Sequence, residues 1–204
     1  MKKSPYQDSF YFYAMEDLQK QVGFIHEIDK LKYIERMTCL FNSERRENDA
    51  EHSWHLCMMA LVLAPHANEK IDLLKVLKML LIHDIVEIDA GDTFLFDTNN
   101  DHNNTQEELK AAKRIFGMLP EEQADELTTL WLEFEKAESA EAKFAKAVDR
   151  LAPMMQNATN NGGTWAQHNV PYETVIEKKK RIKEGSDELW DYAKKLVDSH
   201  YQKG

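Results

Sequence analysis

The 204-residue sequence contains few of the residues that interrupt helices, and few cysteines. Its 7 glycines and 5 prolines together make up roughly half of the share of about 12% that is usual in soluble proteins. So few backbone breakers favour long helices with few tight turns. The two cysteines, Cys39 and Cys57, exclude a disulfide framework and are typical of a reducing compartment.

The sequence also lacks the features of secreted, membrane-spanning and nucleic-acid-binding proteins. No apolar core follows the charged N-terminus, as a secretory signal would require. The longest apolar run, residues 56–64, is far shorter than the ~20 residues of a membrane span. The net charge of −10 repels nucleic acids and anionic membranes. We therefore expect a cytoplasmic protein with neither as a partner, in which a phosphorylated ligand would need local Arg or Lys residues or a metal.

All segments with clear hydrophobic periodicity are typical of helices, which predicts an all-α fold. Helices are expected in an N-terminal region that breaks near residues 27–29, at 49–64, 73–82, 105–116, 120–137 and 141–151, and after Pro171 and Ser186. Pro65 and Pro153 should end the helices that precede them, and the polar segment 92–104 should form a surface loop. The length and the absence of a visible repeat predict one domain over residues 1–204.

Four residues that could bind a metal occupy positions where core residues are expected. His52 stands at the start of an apolar helix, His83 and Asp84 interrupt an apolar run, and Asp149 lies beside apolar positions of a later helix. An unpaired buried carboxylate is strongly destabilising, so these groups need partners. One divalent cation could serve all four, because two carboxylates match its charge and mixed nitrogen and oxygen ligands suit Zn, Mn, Co or Fe(II).

Each of these residues also has a purely structural interpretation. A single buried histidine often hydrogen-bonds within a core, and an aspartate near a helix end often caps the helix or pairs with a cation. The residue types and their spacing therefore leave both interpretations open.

Two longer motifs contain three of the four residues. Residues 46–54 read RENDAEHSW, residues 80–92 read LLIHDIVEIDAGD, and Asp149 follows in a later helix. In this order and spacing the sequence resembles the HD-domain metal-dependent phosphohydrolases, in particular the branch that includes bacterial 5′-deoxynucleotidases. The resemblance covers about residues 28–153 and continues more weakly to the C-terminus, where residues 154–204 should pack onto the core. It implies an orthogonal multi-helix bundle with a buried metal site, and a homodimer.

The resemblance also implies roles for individual residues. The ligands of the metal would be His52, His83, Asp84 and Asp149. Glu87 and Asp92 would form an acid–base pair, and Arg36 would contact the phosphate. Binuclear members of the family carry additional histidines between the HD pair and the last aspartate. This interval contains only His102, so we expect one divalent ion per chain, with Mn, Co, Zn, Fe and Mg as candidates.

Positive charge precedes the first ligand helix, as an acidic protein needs if it is to hold a phosphate. Arg36 and Arg46 belong to this patch, and we expect both, together with Trp54, to contact the substrate. An alternative interpretation is that these arginines are surface charges that pair with nearby glutamates. We interpret His55 as a packing residue or as a support for the ligands.

The resemblance implies that the protein hydrolyses nucleoside 5′-monophosphates and releases phosphate by attack of a metal-bound water. In general, a bound divalent ion lowers the pKa of water from about 15.7 toward ~7. Met37 follows Arg36, where deoxynucleotidases of this group tend to have an aromatic residue, so the preference between deoxyribose and ribose stays open. Two alternatives are another HD chemistry, such as phosphodiester or alarmone pyrophosphate hydrolysis, and a non-catalytic helical scaffold that contains a metal.

Overall fold

The structure, a computed structural model, describes residues 5–91 and 105–202, and the side chains within 15–91 and 106–202. In these ranges the chain forms eleven α-helices and one two-stranded hairpin. The helices are α1 (Pro5–Ile28), α2 (Asp49–Leu63), α3 (Leu73–Ile82), α4 (Glu87–Ala90), α5 (Thr105–Phe116), α6 (Glu121–Lys136), α7 (Ala140–Thr159), α8 (Gly163–Gln167), α9 (Tyr172–Lys179), α10 (Ile182–Gly185) and α11 (Asp187–Tyr201). The strands are β1 (Glu35–Cys39) and β2 (Arg46–Asn48), and 3-10 segments cover Asp29–Tyr33, Ala64–His66 and His83–Val86.

Several helices begin where the sequence places a capping residue. At the start of α2, the side chain of Asn48 accepts a hydrogen bond from the backbone of Glu51 at 2.9 Å, and the carboxylate of Glu51 accepts one from the Asn48 backbone at 3.2 Å. Asp72 and Ser186 cap α3 and α11. Such caps satisfy backbone N–H groups that have no partner inside the helix. They therefore fix the residue at which each helix begins.

Helix α7 occupies the centre of the described structure and packs against α2, α3, α6, α8, α10 and α11. Its buried face includes Phe144, Val148 and Leu151, each at most 1% exposed. The aromatic side chains of Trp131 and Phe134, from α6, are buried in the same core. This packing confirms the predicted all-α class and brings the ends of several helices close to one side of α7.

The sequence did not predict the hairpin. Strands β1 and β2 pair antiparallel, with Glu35 opposite Asn48 and Cys39 opposite Arg46, and the register shifts between these two pairs. Because strands this short and irregular show no clean alternation of apolar and polar residues, their sequence carries no strand signal.

Asn160, the residue after α7, hydrogen-bonds the turn that connects the two strands. Its side chain donates to the Leu40 carbonyl at 2.9 Å and accepts from the Ser43 backbone at 3.2 Å.

The prediction that Pro153 ends its helix was wrong, because α7 continues to Thr159. A proline inside a helix removes one backbone hydrogen bond, here the one to the carbonyl of Asp149, and typically costs about 3 kcal/mol. Residues on both sides of the proline, including Leu151 and Met154, are buried. Their packing offsets the lost hydrogen bond.

Four further expectations have different outcomes. The N-terminal helix ends at Ile28, as predicted. Within the described ranges, none of the helices combines the length and the hydrophobicity that crossing a membrane requires. The loop predicted at 92–104 lies outside the described residues, and the single domain over 1–204 stays a prediction.

The contact between α10 and α7 generates a test of the packing. A Cβ atom added to Gly185 would overlap the carbonyl oxygen of Lys143 and lie 2.8 Å from the Cα of Phe144. Since backbone cannot move aside as a flexible side chain can, Gly185→Ala should lower the free energy of unfolding by about 1–3 kcal/mol. Urea unfolding followed by circular dichroism measures this change.

Gly23→Ala is the matched control, because the nearest atom to its added Cβ is Cε of Met118 at 3.8 Å. Gly23 lies inside α1, where alanine favours the helix by up to ~1 kcal/mol. Equal unfolding curves for the two variants would contradict the close approach at Gly185.

Candidate metal centre

The four predicted ligand residues come together from three parts of the chain. His52 lies in the first turn of α2, His83 and Asp84 open the 3-10 segment that follows α3, and Asp149 lies in the middle of α7. Oδ1 of Asp149 is 3.2 Å from Nε2 of His52 and 3.8 Å from Nε2 of His83. Nε2 of His83 is also 3.0 Å from Oδ1 of Asp84. Residues 97 positions apart in sequence are thus neighbours around one point.

Hydrogen bonds on the far side of each imidazole fix its orientation. Nδ1 of His83 is 2.9 Å from the carbonyl oxygen of Leu80, and Nδ1 of His52 is 3.1 Å from Oε2 of Glu47. A carbonyl oxygen only accepts, so Nδ1 of His83 carries a proton and Nε2 is the atom left to bind a metal. Partners of this kind typically orient histidines that bind metals.

The centre requires positive charge. Nε2 of His83 is buried and makes no hydrogen bond with the described residues, although two carboxylates lie nearby. Burial opposes a charge on the ring, yet Asp84 and Asp149 raise the pKa of His83 to about 10. Burial opposes ionisation of Asp84 and Asp149 too. His83 and Arg36 nevertheless hold the pKa of Asp84 well below its ordinary value, and His52 and His83 do the same for Asp149. A divalent ion bound by these nitrogen and oxygen atoms would supply this charge, so the residues fit a metal.

A second group of carboxylates, which includes Asp84, adjoins His52, His83 and Asp149. Asp49, Asp84 and Glu87 each offer an oxygen within 4.8 Å of the others. The 3-10 segment explains the grouping: with three residues per turn, Asp84 and Glu87 lie on the same side and His83 lies a third of a turn away. This separation was not predicted from the sequence.

Arg36 on β1 contacts two of these carboxylates. Its Nη1 is 2.7 Å from Oδ2 of Asp84 and 3.2 Å from Oδ1 of Asp49. Burial and the nearby charge of Asp84 nevertheless raise the pKa of Asp49 to about 6. The guanidinium group therefore compensates negative charge of the protein itself in the described structure.

Glu47 and Asp49 were not among the predicted site residues, although both are almost fully buried at the centre. Glu47 is one of the glutamates that the alternative interpretation treats as surface partners of the arginines. Asp49 could have been found from its spacing, because it precedes the buried residues His52, Leu56 and Met59 at three-, seven- and ten-residue steps on the inner face of α2. Glu47 lies on β2, and no strand was predicted there.

The remaining predicted site residues have different environments. Glu87 is half-buried at the start of α4, whereas Arg46 is exposed and Trp54 is 65% exposed on the outer face of α2. The ring of His55 packs against Trp54 and Phe41. Asp92 and His102 lie outside the described residues. The structure thus brings Arg36 and Glu87 to the metal ligands and leaves Arg46 and Trp54 at the surface.

Solved structures resemble the chain along most of its length. A predicted metal-dependent phosphohydrolase from Magnetospirillum magnetotacticum is 50% identical, with a TM-score of 0.87 and coverage of 92% of this chain and 94% of that chain. A conserved hypothetical protein from Pyrococcus furiosus is 25% identical, with a TM-score of 0.63 and coverage of 89% of this chain and 99% of that chain.

Sequence comparisons agree with the structural likeness. The human 5′-deoxynucleotidase HDDC2 is 30% identical over 134 residues, which are 65% of this chain and 64% of the human protein. The chain therefore matches slightly less than two thirds of that relative. A family model described as HD domain matches residues 28–190, a range that includes all four ligand residues and confirms the resemblance seen in the motifs. The chain belongs to the HD domain family.

Proposed function

We propose that the protein is a metal-dependent phosphohydrolase that releases phosphate from nucleoside 5′-monophosphates. The observation that carries this proposal is the convergence of His52, His83, Asp84 and Asp149 with the adjacent carboxylate of Glu87. The names of the relatives support it, since one is a 5′-deoxynucleotidase and another a predicted metal-dependent phosphohydrolase. A scaffold that kept a metal only for its structure would have no need of Glu87 beside the ligands.

The four ligand residues would hold one divalent ion, with Mn, Co, Zn, Fe or Mg as candidates. When bound, such an ion polarises phosphoryl oxygens and makes water a better nucleophile at neutral pH. Glu47 and the Leu80 carbonyl keep the two imidazoles oriented toward it. Their role is to present Nε2 of each ring without reorganisation.

Glu87 is the proposed base. It shares a side of the 3-10 turn with Asp84 and lies within hydrogen-bond reach of Asp49, so its carboxylate can accept a proton from water held at the centre. Asp92 would assist the departure of the nucleoside oxygen by proton delivery.

Arg36 has two functions in this proposal. It neutralises Asp84 and Asp49, which keeps the negative potential of the centre from repelling a phosphate. N–H groups of its guanidinium would also donate to the phosphoryl oxygens, because arginine can donate several hydrogen bonds at once. Arg46 and Trp54 are proposed as outer contacts of the substrate.

Assembly and location are further parts of the proposal. Exposed apolar side chains form a stripe along α2 that comprises Trp54, Met58, Leu61 and Val62. An apolar stripe of this kind supports a homodimer. The single domain over 1–204 and a cytoplasmic location complete the proposal.

A screen of nucleoside monophosphates tests the activity. Metal-stripped protein is restored with Mn²⁺, Co²⁺, Zn²⁺, Fe²⁺ or Mg²⁺ in turn, and released phosphate is measured. We expect metal-dependent release, and we expect Asp84→Ala to lose both the metal and the activity because it removes a ligand oxygen. Pyrophosphate release from a larger nucleotide, or metal-restored protein inactive toward every monophosphate, would contradict the proposal.

The role of Glu87 has a separate test. Glu87→Gln preserves the shape of the side chain but cannot accept the proton, so kcat should fall by about 10²–10⁴-fold while the metal content stays the same. Steady-state kinetics and metal analysis measure the two quantities. Asp89→Asn is the control, because Asp89 lies two residues away and pairs with Arg114 at the surface. Normal turnover of Glu87→Gln would assign the base to another residue.

The substrate contact of Arg36 is tested by Arg36→Ala. A hydrogen bond to a charged group contributes about 1.5–3 kcal/mol, so we expect KM for the monophosphate to rise at least tenfold, with a smaller change in kcat. Arg45→Ala serves as the comparison, since Arg45 pairs with Glu51 at an exposed position. Equal KM values for the two variants would restrict Arg36 to neutralising Asp84 and Asp49.

A further inference from the structure

A buried lysine near the metal centre has no part in the mechanism above. Lys179, the last residue of α9, is only 6% exposed. It follows the fully buried Val175 by four residues and precedes the fully buried Ile182 by three. This spacing places Lys179 on the inner face of the chain, where an apolar residue would be expected. Keeping an ammonium group there is unfavourable for stability alone.

The surroundings of Lys179 do not compensate its charge well. Among the described residues its ammonium group makes no hydrogen bond and no ion pair. Asp149 favours its charge, whereas the nearby cations Arg150, Arg36 and Lys178 oppose it. Asp149 is committed to the two histidines of the metal centre. Burial lowers the pKa of Lys179 to about 8, so the group is still mainly charged at neutral pH.

A second cation near Lys179, Arg150, also lacks an ion pair with any described residue. Arg150 follows Asp149 on α7, is half-buried, and within the described part of the chain forms neither a hydrogen bond nor an ion pair. Arg36, by contrast, is already bound to Asp84 and Asp49. Lys179 and Arg150 are therefore two cations at this side of the centre that form no ion pair with the described residues, although Asp149 favours the charge of both from a distance.

Two neighbouring cations that are removed from water repel each other, and an anion between or beside them relieves both the repulsion and the loss of hydration. We propose that Lys179 is a phosphate-binding residue, whose ammonium group donates hydrogen bonds to the phosphate of the substrate next to Asp149, in a positive potential to which Arg150 contributes. This inference rests on the proposed function and adds a residue to its substrate site. Lysine suits this task as a compact charge with three donors.

The test measures binding of inorganic phosphate to the Mn²⁺-loaded protein by calorimetry. Lys179→Met keeps the length of the side chain and removes its charge, and Kd for phosphate should rise at least tenfold. Lys180→Met is the matched control, since Lys180 is the next residue but is exposed and pairs with Glu177; its Kd should stay the same. Lys179→Arg should retain binding within a few-fold. The KM for the monophosphate should follow the same order while kcat changes less.

Stability and metal content separate phosphate binding from a structural role. If Lys179 only stabilised Asp149, Lys179→Met would unfold at a lower temperature and lose Mn²⁺. If Lys179 binds phosphate, the variant should keep Mn²⁺. Without phosphate it should melt at the same or a higher temperature, because a buried charge is removed. Added phosphate should raise the Tm of the unchanged protein and not that of the variant.

The outcomes distinguish this inference from the proposed function. Phosphate binding that depends on Lys179 in a protein that hydrolyses no monophosphate would uphold the residue and refute the activity. Hydrolysis with equal Kd and KM in the unchanged protein and in Lys179→Met would uphold the activity and refute the role of Lys179. Loss of Mn²⁺ by Lys179→Met, or no phosphate binding by the unchanged protein, would also overturn the role of Lys179.

Discussion

Compensation of buried negative charge is the constraint on which the centre of this protein depends. Glu47, Asp49 and Asp84 are all buried close to Asp149, in surroundings where unpaired carboxylates would destabilise the fold. Positive charge must therefore lie among them, and a proton on His83 can supply only part of it. Arg36 supplies a further part at Asp84 and Asp49, and a divalent ion held by the residues proposed as ligands would supply the rest. In this proposal, metal binding and the arrangement of the helices have one electrostatic cause.

Local structure determines how accurately the ligands meet. The two reciprocal hydrogen bonds between Asn48 and Glu51 fix the first residue of α2 and, with it, the direction in which His52 points. The tighter 3-10 turn after α3 directs His83 toward His52 and Asp149, and Asp84 and Glu87 toward Asp49. A regular helix through these positions would rotate each successive side chain by about 100° instead of 120°. The change of helix type therefore gives two neighbouring residues different partners.

The sequence predicts the helices and the candidate ligand residues because each leaves a local signal. Capping residues such as Asn48 and Ser186 mark helix starts. The candidate ligands stand out as polar residues at core positions, three of the four inside recognisable motifs. The hairpin leaves no such signal, because its strands are short and its register is irregular. Glu47 looks like an ordinary surface charge until the hairpin turns it inward, and Arg36 is assigned to the site from the sequence through the family resemblance. Lys179 stands in a run of three lysines, and only the burial of its helix face separates it from the other two.

The two hydrogen bonds between Asn160 and the hairpin turn affect how the centre responds to a shift of α7. Helix α7 carries Asp149, and Asn160 at its end holds the turn at Leu40 and Ser43, which belongs to the same hairpin as Arg36. A tilt of α7 therefore shifts the aspartate and the hairpin in the same direction. A substitution that tilts α7 would therefore move Asp149 and Arg36 together and change the spacing between them less than it changes the packing of the surrounding bundle.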